Sequence, residues 1–435
     1  MSTNNPAAAS HANSQLVKLS INALKPWKRN ARKHSRQQIE QIAASIQAFG
    51  FTNPVLIDSE NTILAGHGRV EAAKKLGLAQ VPCLYLERLT PAQKRAYVLA
   101  DNKLALNATW DEDLLASELK ALSEIDLDFE ISSTGFSIAE VDQLIEDMAP
   151  EEDGAPEDDL LPSQVPQRVR FGDVWMLGAH RLVCGDSLDA GRVATLMGSE
   201  RAEMVFTDPP YNVKIDGHVS GNGAVRHKEF AYASGDMSRQ EFTTFLTSAL
   251  TNLTAHAADG SIHFICMDWR HIAELMAAAE GIYSELKNLI VWAKDRGGMG
   301  AFYRSRHELV FAYKFGTAAH INSFELGQHG RYRTNVWQYR GAMLEELKMH
   351  PTVKLVQMIA DAIKDVSRRG AVVLDLFGGS GSTLIAAEKT GRRARLMEYE
   401  PSYCDLILAR FEAYAKEAPV LLAREAQDAP SGQAA

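Results

Sequence analysis

Between residues 181 and 397 short apolar runs alternate with amphipathic stretches, and few architectures can satisfy that pattern. Runs at 181–184, 204–207, 261–267, 286–292, 309–313, 371–376 and 395–397 read as strands, and helical periodicity separates most of them. Continuous apolar strands bury both faces, so the intervening helices must cover the sheet on both sides. The expectation is an α/β fold: a doubly wound, largely parallel, Rossmann-like sheet over about 168–417. Ligands would sit at the carboxyl ends of its strands.

At 435 residues the chain exceeds what one core organises. Glu146, Asp147, Glu151, Glu152, Asp153, Glu157, Asp158 and Asp159 crowd one stretch that has no Lys or Arg but includes Pro150, Gly154 and Pro156. Such a segment builds no core and reads as a linker over 149–167. It also carries nearly all of the formal charge of −9, so the acidic balance does not argue against a nucleic-acid partner. Upstream, 15–148 reads as a small mixed α/β domain with a helical extension. Ser35 with Gln38 opens one helix, and Thr90, Pro91 and Gln93 open another. Strands are expected at 54–58 and 62–65, and a helix after Gly66 ends at Gly77. Residues 1–14 read as a disordered leader without a secretory signal, and 418–435 as a flexible tail. Cys83, Cys184, Cys266 and Cys404 are too far apart for a metal or redox pair, as in a reduced cytoplasmic protein. No apolar run could span a membrane.

Two segments carry chemistry. Thr207-Asp208-Pro209-Pro210-Tyr211-Asn212 follows an apolar strand directly. An aromatic amine is a poor nucleophile until its lone pair leaves the ring plane. The Asp208 carboxylate and the Pro209 carbonyl can hold its two hydrogens, Pro209 and Pro210 stiffen the loop, and Tyr211 can stack on the base. The plainer reading is a strand ending in a proline turn with a solvated Asp. The second segment is Phe377-Gly378-Gly379-Ser380-Gly381-Ser382-Thr383, between a strand and a helix. Its glycines admit a ligand against the backbone, and the helix start offers N–H groups to a carboxylate. Glu398, ending the next strand, suits two ribose hydroxyls. The register is not that of a dinucleotide site, and a purely structural turn is the alternative.

Together the motifs resemble the amino-methyltransferases of DNA in their β arrangement, D-P-P-Y preceding F-x-G-S-G, over roughly 168–414. Val183-Cys184-Gly185-Asp186, Arg333-Thr334-Asn335-Val336-Trp337 and His350-Pro351-Thr352-Val353-Lys354 also match. The resemblance implies S-adenosyl-L-methionine as cofactor and catalysis by Asp208, Pro209, Pro210 and Tyr211. It implies cofactor contacts from Asp375, Phe377, Gly378, Gly379, Ser380, Gly381, Ser382, Thr383 and Glu398, with Asp186 near the adenine of the cofactor. His350, Thr352 and Lys354 would lie near its methionine end, although Leu355 stands where the family usually has proline. Asp208 is the residue of adenine-modifying members, which implies a site-specific adenine methyltransferase acting on a flipped base. Amino-cytosine, RNA or protein amide methylation, and a nucleotide-gated DNA-binding protein remain the alternatives.

The double-stranded DNA partner would meet residues 316–349, where Arg331, Arg333 and Trp337 mix charge with aromatic surface; an ordinary exposed insertion is the alternative. The polar loop 212–237 is a candidate lid. The first domain resembles the ParB-like N-terminal fold over 16–106, and Gly66-His67-Gly68-Arg69 resembles the family's nucleotide-contacting turn. His67-Gly68 replaces the Glu-Arg typical of partition proteins, so neither nuclease nor nucleotide hydrolysis carries over. Lys25, Lys28, Arg29, Arg32, Lys33 and Arg36 could track phosphates or simply be solvated. The resemblance leaves room for a homodimer and for a nucleotide at the first domain.

Overall fold

A computed structural model describes residues 16–123, 125, 129–147, 156–162, 164–213, 235–295, 303–323, 333–340 and 354–424. The chain divides into two compact units, 1–148 and 149–435.

In the first unit, β1 (Leu16–Ser20), β4 (Gln80–Tyr85), β2 (Val55–Ile57) and β3 (Ile63–Ala65) lie in that order in one sheet. Their apolar residues Val55, Ile57, Ile63, Val81 and Cys83 form a small core with Val70 of α2 (His67–Lys75). Neither β1 nor β4 was expected from sequence. β1 alternates half-buried and exposed residues, and β4 carries Pro82 in a central strand, where proline normally argues against one. Helix α1 (Arg36–Phe49) begins on Ser35, whose hydroxyl accepts the Gln38 N–H at 3.0 Å, while the Gln38 side chain pairs with His34. Helix α3 (Pro91–Ala105) has the full reciprocal cap of Thr90 and Gln93. Beyond it, α4 (Glu112–Ser123) and α5 (Ile138–Asp147) share a separate cluster of Leu119, Val141 and Ile145.

The second unit is built on a ten-stranded sheet. Its strands are β5 (Val174–Leu177), β6 (His180–Cys184), β7 (Ala202–Thr207), β8 (Ala257–Met267), β9 (Glu285–Ala293), β10 (His307–Lys314), β11 (Val336–Gln338), β12 (Val372–Asp375), β13 (Arg393–Glu398) and β14 (Val420–Ala423). The order is β11-β9-β10-β8-β7-β12-β13-β6-β5-β14, and the central run β8-β7-β12-β13-β6 is parallel. Helices α6 (Ala190–Met197), α7 (Arg239–Ala255) and α8 (Ile272–Ala279) share one core with Val205; α9 (Val356–Val366), α10 (Ser382–Lys389) and α11 (Pro401–Ala415) share another with Met204 and Phe206. Successive β7 residues thus face opposite layers, as a doubly wound sheet requires. From β7 the chain proceeds to β8 on one side, and from β12 to β13 on the other. The strand order therefore reverses between β7 and β12, where such sheets open a crevice at their carboxyl ends.

Three features differ from expectation. Val420–Ala423 is not loose tail: it pairs antiparallel with β5, and Arg424 bonds Asp173 at 2.7 Å. The irregular stretch around 316–349 contributes β11, parallel to β9. The end of the acidic segment is anchored. Asp158 pairs with Lys389 at 2.5 Å, and Asp159 pairs with Arg340 at 2.6 Å while accepting the Val356 N–H at 2.8 Å. A carboxylate there complements the positive N-terminus of α9, whose own cap Leu355 has no polar side chain.

Candidate active site

The ends of β7 and β12 are fastened together by a buried hydroxyl. Thr207 Oγ1 donates to Asp375 Oδ1 at 2.8 Å; the Phe377 N–H reaches the same oxygen at 3.0 Å, and Thr383 Oγ1 donates to Oδ2 at 2.7 Å. Burial nevertheless pushes the Asp375 carboxyl up to about 7, against the pull of those donors. The glycine turn then passes under Glu398 at the end of β13. Glu398 accepts the Gly379 N–H at 2.8 Å and the Glu400 N–H at 2.9 Å, and burial raises it also to about 7. Gly381 has φ +83° and closes on α11, where an added Cβ would lie 3.0 Å from Ile407 Cγ1. Buried Arg410 holds the turn from behind, reaching the Ser380 carbonyl at 2.9 Å, Ser382 Oγ at 3.2 Å and the Asp158 carbonyl at 2.8 Å.

On the other wall Asp208 follows β7. One carboxylate oxygen accepts the Tyr211 hydroxyl and the other accepts Lys354 Nζ at 2.6 Å. Lys354 also lies 3.1 Å from Glu308, which pairs in turn with Lys294. Glu308 is the second residue of β10, and Lys294 follows β9. Since β10 runs antiparallel to both β8 and β9, its start lies at the same sheet edge as the end of β7. Burial disfavours every charge in this chain. It raises Asp208, with Lys354 opposing; Lys354 is itself raised, because Asp208 and Glu308 outweigh burial. Glu308 is held down to about 2, as Lys354 and Lys294 together overcome burial. Tyr211 is raised by burial and then by the Asp208 charge. Asn212, at φ +53°, ties off the following loop: its amide donates to the Met237 carbonyl at 2.9 Å, and its oxygen accepts the Gly235 and Met237 N–H groups.

One cleft joins both walls. Asp208, Pro209, Pro210, Tyr211 and Lys354 line it together with Asp375, Phe377, Gly378, Gly379, Ser380, Ser382, Thr383 and Glu398. Asp186 stands beside the lining residues Gly185 and Ser187, its carboxylate accepting the Leu188 N–H at 2.9 Å. Leu355 has φ −74°, a value proline would also adopt, so the departure from the family pattern leaves the backbone in the expected form. His350, Thr352, Arg331 and most of the candidate lid lie outside the described residues.

Arg333 and Trp337, expected on the DNA side, make contacts within the unit. Arg333 pairs with Asp365 at 2.6 Å, bonds Tyr339 at 3.1 Å and stacks on Trp337, which is 6% exposed within β11. Sequence reasoning missed Lys294 and Glu308 beside Lys354 and the cleft-lining Tyr399 and Tyr403, and it gave Thr207 no part beyond its place in the motif. A charge at the head of the apolar run Leu309–Tyr313 was the available signal for Glu308.

In the first unit the Gly66–Arg69 turn begins α2, with Gly66 at φ +98°. Gly68 permits close approach of α1, since a Cβ there would lie 3.0 Å from His34 Cε1 and Ile42 Cδ1. Burial and then His34 hold His67 below its ordinary range, and its Nε2 accepts the Trp27 N–H at 3.1 Å. Arg69 donates to the Asn53 carbonyl at 2.8 Å.

Comparison with known families matches residues 202–409 to a DNA methylase family, 5–103 to the ParB N-terminal domain and 113–170 to the ParB-methyltransferase HTH domain. The ParB-like nuclease domain-containing protein YnaK of Escherichia coli K12 is 47% identical over 81 residues, 19% of this chain and 93% of YnaK. Type II methyltransferase M2.DpnII of Streptococcus pneumoniae is 25% identical over 245 residues, 52% of this chain and 88% of its own. Among solved structures, the cytosine-N4-specific PvuII DNA methyltransferase aligns with a TM-score of 0.42 at 15% identity, over 57% of this chain and 98% of that one. The chain therefore belongs to the ParB-like family through its N-terminal domain and carries, over residues 202–409, a DNA methylase domain of the N6/N4 type.

Proposed function

We propose that this methylase transfers the methyl group of S-adenosyl-L-methionine to the exocyclic amino group of adenine at specific sites in double-stranded DNA. The observation that carries this reading is the shared cleft, in which the Asp208 carboxylate and the glycine turn lie on opposite walls at the switch point of the sheet.

The residues present fit the donor. Each Glu398 oxygen accepts one backbone N–H and keeps a second lone pair for a ribose hydroxyl. Gly378, Gly379 and Gly381 leave room against the backbone for the donor, and Ser380, Ser382 and Thr383 surround the start of α10, which suits a carboxylate. Phe377 and Asp186 are assigned to its adenosine, and His350 and Thr352 to its methionine end. When bound, the donor supplies a methyl group on a cationic sulfur; the C–S bond breaks as the N–C bond forms. Asp208 and the Pro209 carbonyl accept the two amino hydrogens, which turns the nitrogen lone pair toward the methyl group. Pro210 keeps the loop rigid. Tyr211 gives up its hydrogen bond to Asp208 and stacks on the flipped base, freeing that oxygen for the amine. Asp208 takes the proton that the methylated nitrogen sheds. Asp at this position favours adenine over cytosine. In the first domain the Gly66–Arg69 turn is the candidate phosphate site for a nucleotide.

The test is incubation with labelled S-adenosyl-L-methionine and DNA, RNA or protein, followed by mapping of the modified group. N6-methyladenine in DNA is expected, and Asp208→Ala should lose methylation while retaining donor binding. Label confined to cytosine, RNA or protein would overturn the assignment of the target, and near-normal turnover by Asp208→Ala would overturn the mechanism.

A further inference from the structure

The family pattern puts Lys354 at the methionine end of the donor, but its ammonium lies between two carboxylates on the opposite wall. Lys354 Nζ is 2.6 Å from Asp208 and 3.1 Å from Glu308, with the lysine side chain 6% exposed. Lys294 closes the row on the far side of Glu308 and stacks 4.5 Å over the Trp292 ring. Charges thus alternate along Lys294, Glu308, Lys354 and Asp208 and sum to zero, the arrangement in which a partly buried cluster costs least. We infer that Lys354 and Glu308 are positioning residues for the catalytic carboxylate, and that this row of alternating charges sets the ionisation of Asp208. The inference rests on the reading of Asp208 given above.

Asp208 serves as an acceptor of amino hydrogens only while ionised. A protonated carboxyl would present its own hydrogen to the amine. Burial favours the protonated form, and so does the like charge of Glu308; Lys354 opposes both. Among the described residues the other groups facing Asp208 are the Tyr211 hydroxyl, Asp375 across on β12, and the Cys266 thiol on β8, which burial keeps neutral at physiological pH. Among the described residues Lys354 is the cation that contacts the carboxylate. Glu308 competes with Asp208 for the charge of the ammonium, which donates hydrogen bonds to Asp208 and, at 3.3 Å, to the Tyr211 oxygen; Lys294 offsets part of the Glu308 charge.

The two neighbours therefore act with opposite sign. Lys354→Gln should move the Asp208 titration upward by about one pH unit or more, the range expected on losing an opposite charge in contact. Glu308→Gln should move it downward, because a like charge is lost and Asp208 is then the one carboxylate in contact with the ammonium among the described residues. Lys354→Arg should restore the parental value. The readout is the carboxyl resonance of 13C-aspartate in the full chain, assigned with Asp208→Asn, alongside the acid limb of kcat at saturating donor and DNA. The acid limb should shift with the resonance, and the KM for S-adenosyl-L-methionine should not change in Lys354→Gln. Unmoved titration in both variants, with a raised KM for the donor in Lys354→Gln, would overturn the inference and return Lys354 to the cofactor. Should Lys354→Gln fail to fold, the downward shift in Glu308→Gln decides. If the parent methylates no DNA, the proposed function falls, while the carboxyl titration still tests the charge row.

Discussion

Thr207→Val isolates the fastening between the ends of β7 and β12. The substitution preserves shape but removes the O–H that Thr207, 1% exposed, sends to Asp375. Asp375 keeps its bonds from Phe377 and Thr383, so no donor is orphaned, and one hydrogen bond to a buried carboxylate disappears. A bond of that kind contributes roughly 1.5–3 kcal/mol. Asp375→Ala works differently: it strands two hydroxyls and a backbone N–H in the interior, at about 1–3 kcal/mol for each group left unsatisfied. The expected order of unfolding free energy is therefore parent, then Thr207→Val, then Asp375→Ala, with the second step larger than the first. Urea denaturation followed by tryptophan emission reports this unit, because Trp175, Trp292 and Trp337 are all buried within it. Thr207→Ser, which keeps the hydroxyl and loses only a methyl group, is the control and should cost about 1 kcal/mol. A Thr207→Val protein as stable as the parent, or one as unstable as Asp375→Ala, would refute the account of the fastening.

Asp159→Ala removes the carboxylate at the start of α9 and should cost about 1–2 kcal/mol, read as a lowered melting midpoint of the methylase unit; an unchanged midpoint would mean the segment is a simple linker. Arg333→Ala removes one charge-assisted bond to Asp365 and should destabilise by about 1.5–3 kcal/mol without changing the salt slope of DNA binding, whereas a reduced slope would make Arg333 a phosphate contact. Glu398 has a folded value near 7 against an ordinary 4.5, so between those limits the folded chain binds more protons than the unfolded one. Its contribution to stability is present below the ordinary carboxylate range and is lost as pH rises through about 7. Glu398→Gln should flatten that part of the stability–pH profile, and an identical slope in parent and variant would refute the shift.

Short-range features were legible because local pattern determines them. The alternation of apolar runs announced a two-sided sheet, and strands β6, β7, β8, β9, β10, β12 and β13 all lie where such runs occur. Thr90, Pro91 and Gln93 announced their helix, since a cap depends on residues three apart. The two motifs could be read as strand ends for the same reason. β4 was hidden by Pro82, and β14 by its place in a polar, alanine-rich terminus, because pairing with a neighbouring strand rather than local composition makes them strands.

What tertiary structure alone decided is partnership across the sheet. The alternation requires parallel strands but does not say that β7 lies against β12, 168 residues away along the Thr207–Asp375 bond; strand order does that. It likewise turns Glu308 and Lys294 from charges bordering apolar runs into neighbours of Asp208, and Asp158 and Asp159 from linker acid into anchors for Lys389, Arg340 and α9. A charged side chain in a sequence shows only that it needs water or an opposite charge. Which of the two it receives depends on distances of a few ångströms that are fixed when distant strands and helices pack.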